Sequence, residues 1–175
     1  MKKGFQQGQL DGLCGVYAIV NSAKHVLDLS NKQVNVFWQF LAEELALYRP
    51  KAFFVGLYAS ELETMLKKTN EYFPNLQISA PFKSKSYTSM ETYSSALSYK
   101  LQNNSVAIIG LGDGWHHWTV VQGITNKSFK LIDSSNDKSA SYSYIRHDTL
   151  TLMDEYNKVS LHPRMTYVFE KTENK

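Results

Sequence analysis

The chain has little of what would mark most specialised classes of protein. It contains a single cysteine, so no disulfide can form within it, and no cysteine–histidine spacing resembles a zinc site. No apolar run approaches the length of a membrane span. The surplus of positive charge is small: 19 lysines and arginines against 16 aspartates and glutamates leave +3, scattered rather than gathered into a stripe. Nucleic-acid binding is therefore not expected. There is no internal repeat and no low-complexity segment. The basic start Met1-Lys2-Lys3 runs into a polar stretch, Gly4 to Gln9, and so lacks a secretory apolar core. The expected location is the cytoplasm, or export as an effector by a signal-independent route. No cofactor and no metal are expected, and the composition carries no sign of an oligomeric state.

What is present reads as one folded domain over residues 1–175, long enough to bury a core, with 43% apolar and 20% charged residues. The first half has helical periodicity. Leu13, Val16, Tyr17, Val20, Ala23 and Leu27 follow the spacing of a helix with one buried face, with His25 near its C-terminal end. Ser30, with Gln33 three residues on, predicts a capping box and a second helix to about Tyr48 that buries Val34, Phe37, Trp38, Leu41 and Leu45. Arg49-Pro50 stops it. An apolar connector, Phe53 to Leu57, then leads to a short helix from Ser60 to about Thr69. Leu76 to Ala80 suits a short strand, and Ser89 to Leu101 another helix.

The second half changes period. Val106 to Leu111 is a continuous apolar run suited to a buried strand. Gly112-Asp113-Gly114 is a turn signal. His117 to Ile124 and Ser128 to Ile132 follow as a hairpin turning at Asn126-Lys127, and Met165 to Glu170 reads as a last strand. Helices first and a mostly antiparallel sheet second predict an α+β fold.

Cys14 stands in the run Gln9-Leu10-Asp11-Gly12-Leu13-Cys14-Gly15, at the start of the first helix. A helix N-terminus favours the nucleophilic thiolate, and a single cysteine with a suitable histidine is a candidate nucleophile. Of the five histidines, His147 and His162 fall in polar segments and read as surface residues. His116 and His117 open a strand directly after a glycine turn. Adjacent strand residues point to opposite faces, so only one of the two can face Cys14. His117, with Trp118, Val120 and Val121 anchoring it downstream, is the candidate base. Asp133 ends the paired strand at the same end of the hairpin and suits the role of orienting the imidazole. Trp115 and Trp118 flank the histidines, as packing or as cleft walls. The serine-rich stretch Ser134 to Ser143 reads as a loop, either bordering the cleft or, the favoured reading, facing solvent.

The series Gln-x-Asp-Gly-Leu-Cys-Gly, then Gly-Trp-His-His-Trp-Thr-Val-Val-Gln-Gly, then Leu-Ile-Asp resembles the papain-like cysteine hydrolases. Within them it is most similar to the compact bacterial branch related to the bacteriocin-processing peptidases that remove leader peptides. The resemblance runs from about Gln9 to Asp133. It implies a papain-like fold, with Cys14 as nucleophile, His117 as base and then acid, and Asp133 as its orienting partner. The family also places a glutamine six residues before the cysteine to help bind the oxyanion. Here Gly8 holds that position and Gln9 follows it, so the resemblance points to Gln9, with Gln7 or the backbone near Asp11 as substitutes.

The expected function is thus hydrolysis of an amide in a peptide or protein substrate by a thiol peptidase with a Cys-His-Asp triad. Two alternatives stand beside it. One is a glutamine deamidase or acyltransferase acting on a protein. The other is a non-catalytic binding protein in which Cys14 is a core residue.

Overall fold

The computed structural model describes Phe5 and residues 12–112, 117–134, 144–152 and 155–172. Five α-helices, one turn of 3-10 helix (His147–Thr149) and seven strands appear among them, helices mostly first. They are α1 (Cys14–Leu27), α2 (Asn31–Tyr48), α3 (Ala52–Val55), α4 (Ala59–Tyr72), β1 (Leu76–Ser79), α5 (Met90–Lys100), β2 (Val106–Leu111), β3 (His117–Ile124), β4 (Ser128–Ile132), β5 (Tyr144–Arg146), β6 (Leu150–Thr151) and β7 (Val159–Lys171). The fold is α+β, as the change of period predicts. Six strands lie in the order β1-β7-β2-β3-β4-β5, every neighbouring pair antiparallel, and β6 runs parallel to the start of β7.

Local signals set the helix ends. At α2 the Ser30 amide donates to Gln33 Oε1 at 2.9 Å and the Gln33 amide to Ser30 Oγ at 3.4 Å, the capping box expected. Asp28 ends α1 in the left-handed region at φ 54°, a conformation that aspartate tolerates. The helix expected from Ser60 begins at Ala59 instead, because the Glu61 carboxylate accepts the Tyr58 amide at 2.9 Å and fixes the start one residue earlier.

Both faces of the sheet are covered. Val106, Ile108, Trp118, Val120 and Ile132 pack with the buried stripes of α1, α2 and α4, including Ile19, Phe37, Leu41 and Leu62. Ala107, Ile109, Val121, Phe129 and Leu131 pack on the other side with Phe82 and with Tyr93 and Leu97 of α5. β2 is buried at every position because it lies between β7 and β3 with helices on both sides. Trp38, expected in the core, is half-buried against Tyr17 at 4.7 Å between ring centres.

Three departures from the expected pattern bear on the site. The connector Phe53–Leu57 holds one helical turn, α3, which exposes Phe54 and Val55 instead of burying them. The last strand is twice as long as expected, Val159–Lys171, because Pro163 interrupts its pairing without ending it. There the single residue Gly110 of β2 stands opposite His162–Met165 of β7, so these four residues bulge from the sheet. The third departure is a bulge in β3. Pairing passes from Val121↔Leu131 to Gly123↔Lys130, leaving Gln122 extra. Among the described residues no helix is long and apolar enough to cross a membrane.

Candidate active site

Cys14 is the first residue of α1, and α1 packs on β2, β3 and β7 through a mostly apolar stripe that also buries Ser22 and Asn21. Gly15 permits that close packing: a Cβ there would meet Leu57, Leu62 and Trp118 side chains at 3.1–3.2 Å. The cysteine is buried to 7% exposure, yet it lines a cleft of about 730 Å³ between α1, the 54–59 segment and the ends of β2, β3 and β7.

His117, the first residue of β3, lines the same cleft and hydrogen-bonds with the Cys14 side chain. On its other side, Nε2–H donates to both Asp133 oxygens at 3.1 Å. Since Nε2 is turned to the carboxylate, Nδ1 is the nitrogen left for the thiol. Side-chain exposures of 15% for His117 and 8% for Asp133 put the pair largely out of water. Burial pulls the imidazole towards neutrality. The Asp133 hydrogen bond, then the Cys14 hydrogen bond, outweigh that and push His117 up to about 10.

Thr119 completes the arrangement and is a residue that the sequence reading passed over. Its hydroxyl donates to Asp133 Oδ2 at 2.7 Å, so the carboxylate is held by two donors from one strand face. Its signal was available: Thr119 lies two residues after His117, which on a strand is the same face. The geometry thus brings Cys14, His117 and Asp133 together. Gln9, Gln7, Asp11, Trp115 and His116 lie outside the described residues, as does most of the serine-rich stretch from Ser134 to Ser143. Ser134 itself is buried rather than solvent-facing.

The floor of the cleft is made by two chain segments crossing at glycines. The Gly12 amide donates to Phe53 O at 2.9 Å, and a Cβ on Gly12 would lie 2.4 Å from Gly56 N. Gly56 itself has φ +82°, where a side chain is strained. Trp118 ties down the same segment, its indole N–H donating to Leu57 O at 2.8 Å. Trp118 therefore both packs and lines the cleft. Phe5 is clamped to α1 as well: its amide donates to Asn21 Oδ1 at 2.7 Å, and Asn21 Nδ2 donates back to Phe5 O at 3.0 Å.

Two histidines expected at the surface are placed otherwise. His162 is half-buried and lines the cleft, its Nε2 within 2.4 Å of where a Gly112 Cβ would be, because the β7 bulge turns it inward. His147 is half-buried with its ring 4.8 Å from that of Phe129, and burial lowers its pKa. His25 lies in the last turn of α1 beside Lys24, where positive charge suits the helix end.

A nucleophile, a base and an orienting carboxylate that meet in a cleft can perform acyl transfer. Comparison with protein-family models, with curated proteins and with solved structures gives no match.

Proposed function

We propose that the chain is a papain-like cysteine hydrolase that cleaves an amide bond of a peptide or protein substrate. One observation carries this reading: His117 is held between the Asp133 carboxylate and the Cys14 side chain, with its pKa raised to about 10, inside an open cleft. A structural core cysteine has no need of an imidazolium or of access to a cavity.

At neutral pH His117 is protonated and stabilises a Cys14 thiolate. The thiolate attacks the substrate carbonyl carbon, forming a C–S bond as the carbonyl electron pair moves to oxygen. The Cys14 amide, at the first helical position, has no intrahelical acceptor and is an oxyanion donor. Gln9 is proposed as the second donor. Collapse of the tetrahedral intermediate breaks the C–N bond, and His117 gives its proton to the leaving nitrogen. A water molecule then attacks the thioester while His117 takes its proton. The C–S bond breaks, the acid leaves, and the thiolate–imidazolium pair is restored.

The test is alkylation of Cys14 by neutral iodoacetamide. The native protein should react rapidly at pH 7, and His117→Ala should slow the reaction by a hundredfold or so. Equally slow reaction in both would refute the proposal and leave Cys14 a core residue. Mass spectrometry of candidate protein substrates then separates cleavage from the one-mass-unit shift of a deamidation.

A further inference from the structure

We propose that the substrate is a polypeptide segment carrying an apolar residue on one side of the scissile amide and acidic residues on the other. This deepens the hydrolase reading and rests on it.

The cleft around Cys14 has two unlike ends. On one side the 54–59 segment presents Phe54, Val55 and Tyr58, which are 80%, 62% and 64% exposed. Three large apolar side chains exposed within five residues are costly to leave in water, and here they border the candidate nucleophile. Trp118 and Gly12–Gly56 fix that segment from below, so the apolar wall is rigidly placed. Among the described residues the cleft is lined by no carboxylate, lysine or arginine. An apolar side chain is the natural occupant.

At the opposite end the wall is the β7 bulge. His162 and Met165 of this bulge line the cleft on one side and a second hollow of about 310 Å³ on the other, so the two are neighbours with the bulge as their shared wall. The second hollow is bordered by Lys85 and Arg164 and, among the described residues, by no carboxylate. Both cations are exposed, and neither forms an ion pair with a described carboxylate: Arg164 reaches only Ser86 Oγ, at 3.4 Å, and Lys85 lies over the Phe82 ring. Two cations with no acidic partner among the described residues, beside a cleft whose described lining otherwise carries only the Cys14–His117 pair, recruit acidic side chains. The bulge is what places Arg164 there. In an unbroken ladder Arg164 would pair along β2 and would not reach the hollow's rim.

The test uses the full chain carrying Cys14→Ala, so that binding is read without turnover. Fluorescein-labelled peptides with phenylalanine towards one end and paired glutamates towards the other are compared, in both chain directions, with the same peptides carrying lysines for glutamates. Fluorescence anisotropy should show the glutamate peptide bound about fivefold more tightly in one direction, a gap that narrows in high salt. Lys85→Glu combined with Arg164→Glu should reverse the preference, and both sites are exposed enough for the fold to survive. Equal binding of the two peptides, no binding of either, or a preference unchanged in the charge-reversed protein would each overturn the proposal. Alkylation of native Cys14 is read separately, so rapid alkylation without charge preference would refute the substrate class and leave the hydrolase reading intact.

Discussion

Replacing Asp133 by asparagine removes one charge and almost no volume, and its effect can be worked from the site. His117 stands at about 10 against an ordinary 6.5, with burial opposing and the contacts of Asp133 and Cys14 prevailing. That difference corresponds to on the order of 5 kcal/mol in favour of the imidazolium. A carboxylate in contact with the ring in a partly buried setting contributes about 4 kcal/mol of attraction. Asparagine keeps an oxygen that can accept from Nε2–H, so part of the hydrogen bond survives. The expected midpoint in Asp133→Asn is therefore about 8. Because the native pKa is raised, the stability it brings is complete below 6.5 and is lost as pH rises through about 10. In the variant that loss should be finished by about pH 8. The assay is an NMR titration of the histidine Cε1 protons, with His117 assigned by its absence from His117→Ala. A native His117 that titrates near 6.5, or one whose midpoint does not move in Asp133→Asn, would refute this account of the site.

Two other substitutions probe what surrounds the pair. Thr119→Val deletes the hydroxyl that donates to Asp133 Oδ2 at 2.7 Å and leaves a buried carboxylate oxygen short of a donor. It should cost about 1–2 kcal/mol, read as a fall in Tm of about 5 °C, while Thr119→Ser restores both stability and alkylation rate. Gly12→Ala sets a methyl 2.4 Å from Gly56 N, so the 54–59 segment must move. Thermal unfolding should show a loss of about 3 kcal/mol, and Trp118 fluorescence should change as its bond to Leu57 O loosens.

Much of the fold is legible in the sequence because it rests on local signals. The Ser30–Gln33 cap, the stripe of α1 and the doubly buried run of β2 are each set within a few residues. The outlying parts are set by distant contacts. Phe54 and Val55 look like core residues until the crossing of Gly12 and Gly56 pins their segment to the surface. His162 looks like a surface residue because nothing near it in the chain announces that Gly110 will face four residues of β7. β5 has only three residues and is held by pairing with Ser128–Lys130, too short for alternation to reveal it.

The candidate triad shows how close the sequence comes, and what it lacks. Counting out from the turn at Asn126-Lys127 places His117 and Asp133 at the same end of the hairpin, and there they are. Position along a strand is only half of the requirement, since the two side chains must also share a face. At the turn, Ile124 pairs with Phe129 and Gly123 with Lys130. Carried onward without interruption, that register would set Asp133 opposite Val120, on the face of Trp118 and away from His117. The extra residue at Gln122 shifts the pairing to Val121↔Leu131 and Val120↔Ile132, so the next step sets Asp133 opposite Thr119. Packing records the same shift: Val121 and Ile124 face one core although three residues apart, which a regular strand forbids. One inserted residue thus turns Asp133 to the face that carries both His117 and Thr119, and both hydrogen bonds to its carboxylate follow. The spacing of sixteen between His117 and Asp133 brings the pair together only because a bulge lies between them.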